Sequence, residues 1–315
     1  MARVFPEGRL VYGMQLPIQS QSTIYAEPWE ASATAADLAE VARAADRAGF
    51  GYVATCDHVA IPRRLAGPMS TVWYDPVATL SFLAGITEHV RLLSHVAILG
   101  LRHPLISAKQ YATLDHLSGG RLILGVGAGH VQEEFEILGV DFARRGAVLD
   151  ETLDALRVAL GPEEFPEFEG ELFSFKDLGQ LPRPVQRRIP VWVGGSSGPA
   201  VRRAAVRGDG WLPQGDPRHA LPPQIARIRE LRDAAGIGEP IEIGAITEAL
   251  YVGEPGWETG RRTLAGKAEA LAESLREYKA LGVDQIQVRF RSRDRAELTD
   301  QIAAFGADVA PHLND

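Results

Sequence analysis

Ser118-Gly119-Gly120-Arg121-Leu122-Ile123-Leu124-Gly125-Val126-Gly127-Ala128-Gly129-His130 reads as a turn, a buried strand and a glycine-rich exit. Gly119-Gly120 breaks whatever precedes it. Residues 122–126 form an apolar run of strand length, the pattern of a parallel strand covered on both faces. Glycine then recurs at alternate positions, Gly125, Gly127 and Gly129, so another group can come close to the backbone there. Residues 131–135 have helix-forming composition. A glycine-rich corner between strand and helix is a place where amides can meet an anion. A tight turn that packs a helix on its strand is the competing reading.

The same alternation runs through the chain. Short apolar strands are expected at 10–16, 50–55, 90–99, 122–126, 190–194, 209–212, 241–251 and 284–290. Helices are expected at 33–48, 75–88, 105–117, 144–160, from 200 onward, and at 221–235, 268–281 and 295–309. Asp75-Pro76 supplies a cap followed by a proline at the first helical position. Gly49, Gly236 and Gly282 stand where helices should stop. Strict alternation implies a parallel sheet, and eight such units predict an α/β chain folded as a (β/α)8 TIM barrel, one domain spanning 1–315. The excess over a bare barrel lies in two insertions. One is the loop 59–72, with Pro62, Arg63, Arg64, Gly67 and Pro68. The other is 161–189, proline-rich, with an alternating run at 168–175 that predicts a hairpin.

Composition narrows the function. With 315 residues, 45% of them hydrophobic, the chain can bury a large core. A net charge of -8 argues against a nucleic-acid partner. A single cysteine, Cys56, excludes an internal disulfide framework and fits a reducing compartment. The first eight residues lack the apolar core of a secretion signal, and no apolar run has bilayer-spanning length. A cytoplasmic location without a membrane partner is therefore expected.

In a barrel of this kind, functional residues gather where the strands end. That selects Asp57, His58, His95, residues 127–130, residues 194–198 and residues 289–291. Asp57-His58 can orient a ligand and move a proton near neutral pH. His95 lies in an apolar strand, where a satisfied core histidine is the simpler reading. Glu133 and Glu134 are read as complements of a helix N-terminus, with a reach of Glu134 into the site as the alternative. Arg63 and Arg64 read as solvated, with contact to an anionic substrate as the alternative; Cys56 reads as a packed thiol, His103 as a cap and His116 as a partner of its helix dipole. No HExxH and no zinc-type Cys/His cluster occurs, so no metal is expected. The central glycines miss the GxGxxG spacing, because His130 stands where the third glycine should be. Gly194-Gly195-Ser196-Ser197-Gly198, ahead of a helix, is the better phosphate cradle.

Several segments together resemble the bacterial luciferase-like monooxygenase superfamily. They are Arg102-His103-Pro104, Ala108-Lys109-Gln110, Ala112-Thr113-Leu114-Asp115, Leu117-Ser118-Gly119-Gly120-Arg121-Leu122, Gly125-Val126-Gly127, Pro190-Val191-Trp192-Val193-Gly194-Gly195 and Gly208-Asp209-Gly210-Trp211. The match is strongest to the coenzyme F420-dependent, deazaflavin-using oxidoreductases, and it runs from the first strand to about Pro213. The resemblance implies a barrel that binds a deazaflavin or flavin at the strand mouths and transfers hydride. It places Asp57 and His58 beside the ring. It implies a non-proline cis peptide at His95-Val96 backing the ring, Gly127-Ala128-Gly129-His130 along the cofactor, and Gly194, Gly195, Ser196, Ser197, Gly198 and Pro199 around its phosphate. Similar sugar-phosphate dehydrogenases carry a glutamate acid where this chain has His130, and a tryptophan where it has Pro62. A sugar phosphate is therefore not the expected substrate. His130 is either the acid or a ring contact.

The leading expectation is an F420-dependent oxidoreductase acting on a small organic molecule, with His58 or His130 handling the proton. An FMN-dependent monooxygenase and a non-catalytic deazaflavin-binding protein are the alternatives. A barrel lyase or isomerase ranks last, for want of a strand-end lysine or glutamate base. The resemblance suggests a homodimer.

Overall fold

The computed structural model describes residues 3–260 and 262–315. Among these, eight parallel strands close into a barrel: β1 (Val11–Gln15), β2 (Tyr52–Thr55), β3 (Arg91–Ser94), β4 (Leu122–Val126), β5 (Val191–Gly194), β6 (Gly210–Leu212), β7 (Glu242–Val252) and β8 (Gln285–Phe290). Each pairs with its chain neighbours, and β8 returns to β1 through Val11↔Gln285 and Met14↔Val288. The outer layer is α1 (Ala35–Arg47), α2 (Pro76–Ala84), α3 (Pro104–Leu117), α4 (Arg145–Ala159), α5 (Gly198–Arg207), α6 (Leu221–Ala234), α7 (Ala268–Ala280) and α8 (Arg295–Ala304). The expected (β/α)8 TIM barrel is the observed fold.

Local chemistry sets the element ends. Thr34 and Asp37 cap α1 reciprocally, and the Asp75 carboxylate accepts from Ala78 N at the start of α2. His103 Nδ1 accepts from Leu105 N, so this histidine is the cap expected of it. The hairpin is present as Phe168–Glu169 against Ser174–Phe175, and the Glu151 carboxylate of α4 pins it by accepting from Leu172 N and Phe173 N.

Three boundaries differ from expectation. The third strand ends at Ser94 rather than at residue 99; His95 N still reaches Thr55 O, Ala97 N reaches Gly125 O, and the His95–Val96 peptide is cis. The second helix ends at Ala84, where Thr87 Oγ1 turns back onto Leu83 O. The last helix loosens into a π-type turn at Phe305–Val309.

The N-terminal end of the barrel is plugged. Phe5 packs its ring edge on Trp192 and lies tilted against Tyr52, while Phe5 N donates to Glu242 Oε1 at 2.8 Å. Tyr52, Leu93, Ile123, Trp192 and Leu212 fill the interior above it. β7 and β8 lose register between Gln287 and Arg289, where β7 carries the extra residue around Thr247-Glu248. Such a bulge re-aims side chains at a barrel rim. Here it presents Glu248 to the open end, where it binds Arg218 and Tyr278 OH.

The alternating glycines of β4 answer to protein neighbours. A Cβ at Gly125 would collide with Ser94 O, and one at Gly127 would lie 2.5 Å from Val96 Cγ2. Gly129 has φ +76°, and a Cβ there would lie 2.8 Å from the Phe135 ring. The close approach read from the sequence is made by the end of β3 and by the following helix.

Candidate active site

A cavity of about 1380 Å³ opens at the C-terminal ends of the strands. Its wall includes Asp57, His58, His95, Val96 and Gly127 to His130, so the sequence-selected residues of β2, β3 and β4 converge.

Asp57 is buried, and Arg102 grips its carboxylate at 2.6 and 2.9 Å. The same carboxylate accepts from Ile98 N at 2.8 Å. Burial works against the charge on Arg102, but the Asp57 hydrogen bonds outweigh it and hold the guanidinium pKa above its ordinary value. Asp57 therefore ties the segment after β3 to the end of β2. Both of its carboxylate oxygens are engaged within the protein.

His58 has a different partner. Its Nδ1 lies 2.8 Å from Glu134 Oε2, while Glu134 Oε1 accepts from Val59 N and Ala60 N. Glu134 sits on the short helix Gln132–Ile137 and is 1% exposed. Burial pushes its carboxyl pKa up, but the His58 hydrogen bond and the two amides pull harder and hold it below the usual range. The carboxylate is thus ionised at neutral pH and can only accept, so Nδ1–H of His58 donates. Nε2 of His58 is left for the cavity. Trp73 stands edge-on to the His58 ring at 4.5 Å and His130 at 5.4 Å. His130 lies exposed on the rim; partial enclosure, then the neighbouring His58, lower its pKa.

His95 is buried with Nε2 3.3 Å from Leu212 O. Burial drives its pKa down to about 4. It is neutral at pH 7 and carries its proton on Nε2, toward the carbonyl. Val96, next in the chain, is half-buried and seated on two glycines: a Cβ at Gly127 or at Gly194 would lie 2.5 Å from its methyl groups. Gly127, just past β4, and Gly194, the last residue of β5, each lack a side chain, so Val96 can form an apolar ledge in the cavity.

The turn after β5 divides. Gly194, Gly195, Ser197 and Pro199 line the cavity. Ser196 and Gly198 line a separate depression with Arg202 and Arg227. Gly195 has φ +93°, and Ser197 Oγ accepts from Ala200 N to cap α5. Ser197 keeps its hydroxyl proton free to donate. Arg203 is already bound to Asp150 at 2.7 Å.

Three buried polar atoms on cavity residues have no hydrogen-bond partner among the described residues: Arg218 Nε, Gln287 Oε1 and Arg289 Nε; Arg218 is already held through its other guanidinium nitrogens by Glu248 and Glu277. Buried polar groups are normally paired, so Gln287 and Arg289 each invite a bound molecule. Among the described residues no group of three or more His, Cys, Asp or Glu is placed to hold a metal ion, and no helix is long and apolar enough to cross a membrane.

Glu134 and Arg102 are the functional-site residues that local reading underrates. Glu134 fits the helix N-terminus reading equally well in sequence; only the fold delivers it to His58. Glu133 pairs instead with Arg64 at 2.5 Å on the surface. Cys56 is half-buried on the cavity wall, its Sγ 2.8 Å from Gln15 Nε2.

The site is thus a cavity at the strand mouths of a parallel barrel, walled by an apolar ledge and a histidine–carboxylate pair. The luciferase-like monooxygenase family model matches residues 11–255, and the chain belongs to that family. An uncharacterized protein of Mycobacterium tuberculosis is 34% identical over 222 residues, 66% of this chain and 75% of its own length. The FMNH2-dependent dimethylsulfone monooxygenase of Pseudomonas putida is 28% identical over 230 residues, 72% of this chain and 60% of its own. In shape the chain matches the monooxygenase RslO1 of Streptomyces bottropensis, with TM-score 0.79, 24% identity and coverage of 96% and 99%. It also matches an F420-dependent secondary alcohol dehydrogenase solved with an F420-acetone adduct, with TM-score 0.77, 16% identity and coverage of 98% and 100%. These two likenesses speak for the fold.

Proposed function

We propose that the protein is a coenzyme F420-dependent oxidoreductase that moves hydride between the deazaflavin and a small organic substrate while His58 carries the accompanying proton. The observation that carries this reading is the Glu134–His58 pair on the wall of a cavity of about 1380 Å³, room for a cofactor and a substrate together. When bound, the deazaflavin supplies a hydride donor or acceptor at one ring carbon.

The residues present fit such a group. Val96 and Ala128 offer an apolar surface to a ring. The Gln287 Oε1 acceptor is free for a ring N–H. The Gly195 turn, the Ser197 hydroxyl and the N-terminus of α5 suit a phosphate. Glu134 holds Nδ1 and fixes the orientation of His58, so Nε2 is the atom that gives or takes a proton in the cavity. The lowered pKa of His130 leaves it neutral at pH 7, suited to a ring contact rather than a proton source. Asp57 holds the backbone behind the ledge. Trp73 restricts water beside His58.

An FMN-dependent monooxygenase is the second reading, supported by the P. putida relative. Titrating the purified protein with F420 and with FMN, followed by fluorescence, separates the two. F420 binding is expected; tight FMN binding with no F420 binding would overturn the first reading. His58→Ala is then expected to abolish turnover and leave F420 affinity nearly unchanged. A change in affinity alone, with no turnover by either protein, would mark a non-catalytic cofactor-binding protein.

A further inference from the structure

The inner face of β8 carries Gln285, Gln287 and Arg289 at alternate positions, so they climb the barrel wall in sequence. Gln285 accepts from Tyr52 OH at the plugged end. Gln287 meets Gln15 at 3.5 Å. Arg289 reaches the cavity near the mouth.

The other cations of this wall are engaged or solvated. Arg291 binds Glu27 at 2.9 Å and approaches Thr263 Oγ1. Arg218 is bound to Glu248 at 3.1 Å and also to Glu277. Arg262 is exposed to solvent. Glu30, a nearby carboxyl, accepts from Ile18 N and Glu27 N and makes no ion pair with Arg289.

Arg289 itself makes no hydrogen bond and no ion pair among the described residues, and its Nε is enclosed without a partner. The Tyr25 ring, its centroid 4.7 Å from the guanidinium carbon, is the group stacked on it. A part-buried guanidinium with idle N–H groups is costly unless something outside the chain completes it. β6 and β7 separate β8 from β5, so this cation stands well round the barrel from the phosphate-type turn at Gly195.

We propose that Arg289, flanked by the Tyr25 ring, is the docking residue for a carboxylate on the substrate, which makes the substrate a small organic carboxylate. This rests on the oxidoreductase reading of the cavity for the word substrate. A single guanidinium whose planar donor fork makes no hydrogen bond or ion pair suits a monoanionic, planar carboxylate better than a phosphate dianion. The anion sits at the mouth beyond Gln287, well away from the turn after β5 that suits the cofactor's phosphate.

Calorimetric titration with benzoate, benzamide and inorganic phosphate, on protein with and without F420, tests this. Benzoate is expected to bind the wild type more tightly than its neutral isostere benzamide, and phosphate to bind Arg289 less well than benzoate. Arg289→Met should weaken benzoate by about 10–100-fold, the loss of a charge-assisted contact. Arg289→Lys should recover part of it. F420 affinity should stay unchanged in both variants, which also reports that they are folded. Equal affinity for benzoate and benzamide in the wild type, or undiminished benzoate binding by Arg289→Met, would overturn the proposal. So would phosphate binding at Arg289 more tightly than benzoate. If F420 fails to bind at all, the cofactor reading falls, while the benzoate comparison still decides the role of Arg289.

Discussion

Nδ1 of His58 and Oε2 of Glu134 stand 2.8 Å apart although 76 residues of chain separate them. The contact joins the end of β2 to the short helix after β4, and it fixes which imidazole nitrogen faces the cavity. Glu134 also accepts from Val59 N and Ala60 N, so one carboxylate orients both the histidine and the loop that follows it.

Glu134→Gln removes the charge from that arrangement. Turnover is expected to fall by about 10²-fold, the scale of positioned acid–base catalysis. Stability should show a pH signature as well. A carboxyl held below its ordinary pKa stabilises the fold above about pH 4.3 and loses that contribution as pH falls through its folded value. Melting temperatures measured from pH 3 to pH 7 should therefore drop more steeply toward acid in the wild type than in Glu134→Gln. Identical curves would count against an ionised Glu134.

Asp57→Asn leaves Arg102 beside a neutral amide in a buried setting. Breaking such a pair costs ~3–5 kcal/mol, softened here by Asp75, whose carboxylate lies 3.6 Å from Arg102. Urea unfolding should show the loss in the midpoint with an unchanged slope. A change below about 0.5 kcal/mol would mean that the pair is not structural.

Gly127→Ala places a methyl 2.5 Å from Val96 Cγ2. The ledge must move, and overpacking of this kind costs about 1–3 kcal/mol. Val96→Ala made alone should cost less than Gly127→Ala. The double variant V96A/G127A should recover part of the loss, a non-additivity that a double-mutant cycle measures. Strict additivity would show that the two residues do not share the space.

Glu242 lies at the plugged end, 2% exposed, with Oε2 unpartnered. Burial raises its pKa to about 7 despite the amides of Phe5 and Val4. The folded state therefore binds an extra proton between the ordinary carboxyl value and pH 7, and stability declines as pH rises through that window. Glu242→Gln keeps an acceptor for Phe5 N and removes the ionisation. It should stabilise the protein at pH 8, on the order of 1–3 kcal/mol, with the advantage gone below about pH 4.3. Thermal melts at the two pH values would show whether the difference disappears as required.

Much of this protein is legible in local sequence. Helix periodicity, glycine stops and short apolar strands are short-range signals, and they fixed eight βα units and therefore the barrel. The strand-end positions of Asp57, His58, Gly127 and Arg289 follow from the same reading, because in this architecture position along the strand decides access to the mouth. What those residues meet was decided by tertiary structure. An acidic residue early in a helix is explained by the helix dipole whether or not a histidine waits across the barrel, so Glu134 carried no distinguishing local signal. Arg102 likewise lies 45 residues from Asp57. Glycine at 127 announced a close approach, but only the adjacency of β3, β4 and β5 shows that Val96 makes it. The missing partner of Arg289 is a fact about all the elements packed around it at once. Contacts between distant segments depend on strand order and register, and no window of the chain contains either.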